Sequence, residues 1–243
     1  GVVTEVTIAC EPAFRLRLRQ VATTLDSVER RASTLFKNEH FKLLLIPHTK
    51  TVFQWSANRT TATATRKGRY REWLKARCLG NTLHEILLLS SMKKRSAQAR
   101  VNKWLSEYVL GAKTERVDKS YKIFNIPIAI RQHVAEYAIP IEHTFAALHA
   151  LTELISRKDL CVHAPIEVRF SAADDFWLSP AFERRSCFIG VIMYRPFGHE
   201  PAYLDYFCAV EEIMERFEGR PHWGKWCGAD WAKIRETYPK WAQ

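Results

Sequence analysis

The run Cys187-Phe188-Ile189-Gly190-Val191-Ile192-Met193-Tyr194 is apolar without a break. A half-exposed strand alternates apolar and polar residues, so a continuous apolar run predicts a central strand that is covered on both faces. Segments elsewhere supply partners for it. Residues 14–19 alternate apolar with basic, residues 162–170 return to a strand pattern, and residues 41–47 and 52–56 are typical of a hairpin.

Helical periodicity separates these strands. Apolar residues recur at helical spacing in residues 25–35, 141–155 and 203–217, and a last helix is predicted after Cys227. The strands and helices do not alternate strictly, as they would in a parallel sheet. The sequence therefore predicts an α+β fold in which helices cover an antiparallel sheet.

Residues 61–120 differ from their surroundings in charge. They hold 14 Lys or Arg against 5 Asp or Glu, which is a net charge of +9 out of the chain's +11. Apolar residues recur between these charges at spacings of three and four, as on helices with one apolar side. We interpret the segment as a basic helical insertion.

Composition excludes several classes of protein. The 243 residues are 47% apolar, yet no stretch approaches the roughly 20 apolar residues of a membrane span. The six cysteines form no C-x-x-C pair, which argues against a zinc site or a disulfide framework and indicates reduced thiols in an intracellular, reducing environment. Neither a phosphate-binding loop nor a serine-nucleophile motif occurs, and we expect no metal.

Both ends of the chain suggest a piece of a longer protein. Residues 1–12 read as a strand without a secretory signal, the first residue is not Met, and no closing motif precedes Gln243. We therefore expect an internal fragment.

Glu167 and Arg169 are the first candidate site residues. They lie two positions apart in a predicted strand, so both side chains project from the same face. One interpretation is a structural ion pair. The other is an arginine that a glutamate holds in place and aims at a polar ligand.

The loop at residues 219–225 is the second candidate. Pro and Gly restrict its backbone, and it brings His222 and Lys225 within three positions of each other. It either caps the core with a buried Trp or holds a titratable His beside a cation for catalysis. Turn or capping roles are the simpler interpretation of Asp174-Asp175 and of Phe197-Gly198-His199.

Several segments together resemble the sugar-1,4-lactone oxidases, which are flavoenzymes of the vanillyl-alcohol oxidase type. The resemblance runs through the chain, is densest after Tyr121 and is weak in the insertion. Its segments are Ile46-Pro47-His48, Gln132-His133, Tyr137-Ala138-Ile139-Pro140, Ile166-Glu167-Val168-Arg169-Phe170, Asp174-Asp175 with Leu178-Ser179-Pro180, Ile192-Met193-Tyr194-Arg195-Pro196-Phe197-Gly198, and Gly219-Arg220-Pro221-His222-Trp223-Gly224-Lys225.

The resemblance implies a domain organisation and a cofactor. Residues 1–12 would be the last strand of an N-terminal FAD-binding domain that this chain lacks. Residues 13–243 would be the substrate-binding cap domain, with the insertion at about 61–120. FAD would be bound mainly by the absent domain, so the chain would carry half of an active site.

The resemblance also implies a reaction and roles for residues. An aldono-1,4-lactone would be oxidised at its C2 hydroxyl in the synthesis of ascorbate or an analogue, with hydride passing to the flavin and oxygen as acceptor. Lys225 and Arg169 would lie beside substrate and flavin, and Glu167 would hold the arginine or bind a hydroxyl. His222 would orient its loop or face the flavin, and Gln132 would face substrate or flavin.

The competing interpretation is that the chain is a binding module without catalytic activity. The basic insertion would bind an anionic membrane or another partner, while the oxidase motifs would be retained scaffold. We expect no nucleic acid as a partner, since the charge is confined to one segment that has no recognised nucleic-acid motif.

Overall fold

One antiparallel sheet of eight strands organises the computed structural model, which describes residues 5–65, 81–92, 94–104, 106–107, 113–125, 130–157 and 160–240. The strands are β1 (Arg15–Thr23), β2 (His40–Leu45), β3 (Val52–Arg59), β4 (Lys113–Lys119), β5 (Gln132–Pro140), β6 (Ile166–Ser171), β7 (Ser186–Tyr194) and β8 (Arg220–Pro221). Their order in the sheet is β4-β1-β3-β2-β6-β7-β5-β8. The predicted α+β class is confirmed.

The two longest of the described helices pack on one side of this sheet. The described helices are α1 (Leu25–Arg30), α2 (Ala32–Leu35), α3 (Asn81–Ser91), α4 (Arg95–Trp104), α5 (Ser120–Phe124), α6 (Thr144–Arg157), α7 (Leu204–Arg216) and α8 (Trp231–Thr237). The apolar stripe of α6 (Ala147, Leu148, Leu151, Ile155) and the inner residues of α7 join Cys187, Ile189, Val191 and Met193 of β7 in the main core. This burial of apolar surface holds the helices on the sheet.

The opposite face of the sheet is only partly covered. Smaller apolar clusters lie over it, one around Leu16 and Trp55 and another in which Leu88 of α3 packs on Tyr194. Between them, Phe188 and Ile192 on β7 are half-buried. The central position of β7 is confirmed, but its second face is not fully covered. We call this region, the face of β2, β6, β7 and β5 turned away from α6 and α7, the open sheet face.

The insertion is helical only in part. Helices α3 and α4 fit the prediction, whereas residues 113–119 form β4, which pairs with β1 at the edge of the sheet. Five of its seven residues are exposed and charged or polar, and only Val117 is buried, so its sequence lacks the apolar alternation of an inner strand. Residues 66–80 lie outside the described part of the chain.

The strand predicted at the start of the chain is not observed among the residues that the structure describes. Residues 5–14 have no regular secondary structure, and residues 1–4 lie outside the described part. None of the described helices has the length and apolar character that crossing a membrane requires.

Candidate functional site

A buried carboxylate marks the open sheet face. Ala135, Tyr137 and Ile139 of β5 point into the main core, so the pleat turns the intervening Glu136 to the opposite face. Its side chain is only 3% exposed. A carboxylate in such a place needs charged or hydrogen-bonding partners, because burial strongly disfavours an unpaired charge.

Two cations converge on Glu136. The Arg169 guanidinium of β6 donates to its Oε2 at 2.5 Å, and the Lys225 ammonium lies 2.8 Å from the same oxygen. Burial alone would raise the pKa of Glu136, but the hydrogen bond from Lys225 and the positive charge of Arg169 outweigh it, so this pKa is lowered. Glu136 is therefore ionised at neutral pH, and the three groups together carry a net charge of +1.

Gly190 makes room for this arrangement. It lies on β7 directly between Glu136 of β5 and Glu167 of β6. A Cβ placed on Gly190 would come within 3.2 Å of Glu136 Oε2. Because no side chain stands there, the side chain of Arg169 crosses β7 and reaches the carboxylate on β5.

The loop after β8 delivers Lys225. It runs beside β5 and is fixed to it by two backbone bonds, from His222 N–H to the Glu136 carbonyl and from Trp226 N–H to the Val134 carbonyl, both 2.9 Å. Between them, Lys225 N–H donates to the His222 carbonyl at 3.1 Å and closes a turn. The side chain of Lys225 therefore returns to the carboxylate of the strand that anchors its loop.

Buried polar groups hold this loop from the helix side. Glu211 of α7 accepts the Tyr137 hydroxyl at 2.9 Å and the backbone N–H of Gly228 at 3.1 Å. Arg220, which is buried, donates to the Phe182 carbonyl at 2.8 Å, and the Tyr238 hydroxyl donates to the Pro221 carbonyl at 2.5 Å. The loop thus caps the core and positions a cation as well, but its Trp223 is 43% exposed, so the predicted buried Trp is not observed.

The structure corrects the partner of Arg169. Glu167 and Arg169 do share a face, but Glu167 pairs with Lys42 of β2, whose Nζ lies 3.0 Å from its Oε1. Glu136 holds Arg169 instead. Both the structural ion pair between Glu167 and Arg169 and an orienting role of Glu167 for Arg169 are therefore wrong. Glu167 remains on the same face, beside the group it was predicted to hold.

The other two predicted site residues are His222 and Gln132. The ring of His222 is half-buried, and its Nδ1 accepts the Gly224 N–H at 3.1 Å, so His222 takes part in the turn that carries Lys225. Gln132 begins β5, four residues before Glu136, which is about 13 Å along a strand. It is exposed and is not brought together with Glu136.

The predicted turns have local roles. Asp174 accepts the Phe176 N–H at 3.1 Å and the Ser179 hydroxyl at 2.5 Å, which fixes a turn. Residues 195–199 form a turn closed by the bond from Gly198 N–H to the Arg195 carbonyl. The simpler interpretation of both segments is confirmed.

Sequence reasoning missed Glu136, Gly190 and Lys42. A signal for Glu136 exists, since it is the one acid within the otherwise mainly apolar strand β5. A second signal is Gly190, which is the one residue of the apolar run without a side chain. Neither shows that these residues face each other, because that depends on the order of strands in the sheet.

Comparisons with known proteins find relatives along nearly the whole chain. The sequence profile of the family described as D-arabinono-1,4-lactone oxidase matches residues 6–243. An L-gulonolactone oxidase of Scyliorhinus torazame is 39% identical over 227 residues, and one of Mus musculus is 35% identical over 244. An L-gulono-1,4-lactone dehydrogenase of Mycobacterium tuberculosis is 31% identical over 242.

These matches cover nearly the whole chain but only part of each relative. They include 93%, 98% and 99% of this chain, and 51%, 54% and 55% of the respective relatives. The chain therefore spans about half the length of the curated relatives it matches. Among solved structures, cholesterol oxidase from B. sterolicum superposes with a TM-score of 0.63 at 14% identity, covering 93% of this chain and 53% of that one. At this identity the likeness shows the fold alone.

Proposed function

Because the chain belongs to the D-arabinono-1,4-lactone oxidase family, we propose that it forms the substrate-binding half of an FAD-dependent oxidoreductase. Its substrate would be an aldono-1,4-lactone, oxidised at the C2 hydroxyl in the synthesis of ascorbate or an analogue. The observation that carries this proposal is the pair of cations, Arg169 and Lys225, that one buried carboxylate holds on the open sheet face.

The charge of this group suits the chemistry. Removing hydride from the C2 carbon is easier when the oxygen on that carbon gains alkoxide character, and a fixed positive charge beside the oxygen stabilises that character. Arg169 and Lys225 provide two donors and a net charge of +1 with Glu136. Since Glu136 is held by the sheet and Lys225 by an anchored loop, these donors are oriented before the lactone binds.

The donor set also fits one end of FAD. The side chains of Lys225 and Arg169 are donor-only groups, which match the carbonyl-bearing edge of an isoalloxazine ring. The sequence offers no glycine-rich loop for the diphosphate. When bound, the flavin supplies the hydride acceptor. The chain's own residues would bind the lactone, orient C2 and stabilise the charge on its oxygen.

Two further points belong to the proposal, namely the final electron acceptor and the location of the protein. We propose oxygen as the final acceptor, which the oxidase names of two relatives support, although a third relative is named a dehydrogenase. Formation of hydrogen peroxide during turnover tests this point. We also propose an intracellular location, because the spacing of the cysteines indicates reduced thiols.

Anaerobic flavin reduction tests the proposed function. The full-length protein with its flavin is mixed with L-gulono-1,4-lactone or D-arabinono-1,4-lactone, and bleaching of the visible flavin band is followed. We expect stoichiometric bleaching by at least one lactone. A bound flavin that dithionite reduces but no aldono-1,4-lactone reduces would refute the proposal.

Membrane docking is a second candidate function, and one observation favours it. Leu83, Ile86 and Leu89 expose an apolar stripe on α3, next to basic residues of α4. Basic helices with an apolar side bind anionic interfaces. Co-sedimentation of the chain with liposomes should rise with the fraction of anionic lipid and fall with salt. Sedimentation that does not depend on lipid charge would refute this candidate.

A further inference from the structure

A groove lies beside Arg169 at one end of strands β2 and β6, where residues of both faces of the sheet line it. It has a volume of about 540 Å³, and Arg169, Glu167, Lys42, Trp55 and Phe124 contribute to its lining. Glu136 and Lys225 lie beside one end of it, since Arg169 bonds to the same carboxylate as Lys225. The groove is therefore adjacent to the proposed reaction site and extends away from it.

Strand register places three of these side chains in a row. Lys42 of β2 is directly opposite Arg169 of β6 on one side and Trp55 of β3 on the other. Residues directly opposite in antiparallel strands project from the same face, and neighbouring strands are about 4.8 Å apart. Glu167, the partner of Lys42, also shares a row with Glu136 across Gly190, so a ligand that extends from the cations at Glu136 across Gly190 meets the Lys42–Glu167 pair.

The far end of the groove combines a donor, an acceptor and aromatic rings. Lys42 Nζ lies 3.0 Å from Glu167 Oε1 and 5.4 Å above the Trp55 ring. The Phe124 ring is 46% exposed and lies 6.1 Å from that of Trp55. A hydroxyl group both donates and accepts, so the Lys42–Glu167 pair can satisfy both capacities. The exposed Phe124 can cover the C–H side of the same carbon chain, while Trp55, which is 6% exposed, packs beneath Lys42.

This chemistry fits a polyol better than an anion or an alkyl chain. Glu167 would repel a negatively charged ligand, and an alkyl chain would leave the partly buried Lys42–Glu167 pair without partners from the ligand. In an aldono-1,4-lactone the polyol tail is attached to C4, across the five-membered ring from C2. With the C2 oxygen beside Lys225 and Arg169, a tail directed across Gly190 would meet Glu167 and Lys42.

We propose that Lys42, Glu167, Trp55 and Phe124 form the subsite for the exocyclic tail of the lactone, and so determine which tail length is preferred. This inference rests on the proposed function and adds a substrate preference to it. Lys42 donates to a tail hydroxyl and Glu167 accepts from one. A six-carbon lactone, whose tail has two hydroxyls, occupies the subsite more fully than a five-carbon lactone, which has one.

The first test compares lactones that differ only in the tail. In the full-length enzyme, kcat/KM is measured for L-gulono-1,4-lactone, D-arabinono-1,4-lactone and the tail-less L-threono-1,4-lactone. Lys42→Met should lower kcat/KM for the six-carbon lactone by about tenfold to 100-fold, the usual effect of losing a charged hydrogen bond, and should hardly change the tail-less lactone. Lys42→Arg keeps the charge and should keep the preference.

A matched control and a binding measurement complete the test. Lys233 pairs with Glu215 on the helix side, and Lys233→Met should leave all three values unchanged. Calorimetry on this chain with 2-deoxy-L-gulono-1,4-lactone, which lacks the reacting hydroxyl, should show weaker binding to the Lys42→Met variant than to the parent.

The outcomes separate the subsite from the proposed function. Equal losses on all three lactones, or unchanged binding of the 2-deoxy lactone by the variant, would overturn the subsite. The proposed function would still hold if the parent enzyme oxidises lactones. If the parent oxidises no lactone at all, the proposed function fails.

Discussion

Lys225 and Arg169 owe their positions to a residue that is almost completely shielded from solvent. The side chain of Glu136 is 3% exposed, while that of Arg169 is 47% exposed on the open sheet face. Such an arrangement costs stability unless every charge is paired, and here one oxygen serves both cations. The geometry is thus that of a cationic group held rigid by its buried counter-charge, which is what preorganised stabilisation of an alkoxide requires.

Removal of either cation should therefore slow chemistry more than it weakens binding. In the full-length enzyme, we expect Lys225→Ala and Arg169→Ala to reduce the single-turnover rate of flavin reduction on the order of 100-fold. The lactone dissociation constant should change less, because a positive charge interacts more strongly with a developing alkoxide than with a neutral hydroxyl.

Folding has to be checked in both variants. Each leaves Glu136 with one partner, so thermal unfolding should be measured beside the kinetics. Lys233→Ala, which removes a paired lysine on the helix side, is the matched control. Folded variants that reduce flavin at the parent rate would show that these residues are not the catalytic cations.

At the scale of secondary structure, periodicity predicted most inner elements, but it missed the inner strand β5 and failed at the edge. Strands β1, β2, β3 and β7 and helices α6 and α7 have clear apolar patterns because each of them buries apolar side chains. Strand β4 buries only Val117, so nothing in its pattern distinguishes it from a charged helix. The Glu136–Arg169 pair could not be predicted from the sequence either, because such a prediction requires knowing that β7 lies between β5 and β6.

The end of β7 depends on a buried histidine. The Tyr194 N–H donates to His163 Nε2 at 2.8 Å, which requires that nitrogen to be unprotonated. Burial lowers the pKa of His163 to about 4, although backbone hydrogen bonds at Tyr194 and Cys161 oppose the shift. Between its pKa in the unfolded chain, about 6.5, and its pKa of about 4 in the fold, the native state binds fewer protons. Stability therefore falls as the pH falls through this range.

His163→Gln keeps an acceptor for Tyr194 and removes the titration. Lowering the pH from 7 to 5 should cost the parent on the order of 2 kcal/mol more unfolding free energy than it costs the variant. Urea unfolding at both pH values measures this difference. His48 and His84, whose pKa values burial also lowers, titrate in both proteins and cancel in the comparison. Equal losses in parent and variant would show that His163 does not titrate on unfolding in this range.

The molecule as a whole has two unlike sides. Helices α6 and α7 cover one side of the sheet and bury most of the apolar core there, while the other side leaves a cationic group and a polar groove exposed. Sequence resemblance pointed to Arg169, Lys225 and Glu167 on that open side. Their actual partners, Glu136 and Lys42, come from strands distant in sequence and were not predicted.

The chain by itself should not retain flavin. Its described contribution to the proposed site is the pair Arg169 and Lys225, which can contact only the ring end of FAD, and its sequence has no glycine-rich loop for the diphosphate. A few contacts at one edge of a ring do not offset the entropy lost when the cofactor is immobilised. We expect the purified chain, incubated with excess FAD and passed through gel filtration, to show no stoichiometric visible flavin absorption, whereas the full-length protein treated in the same way should show it. A chain that elutes with one flavin per molecule would mean that the cofactor is held by residues of this half, and the division of the site between two domains would have to be abandoned.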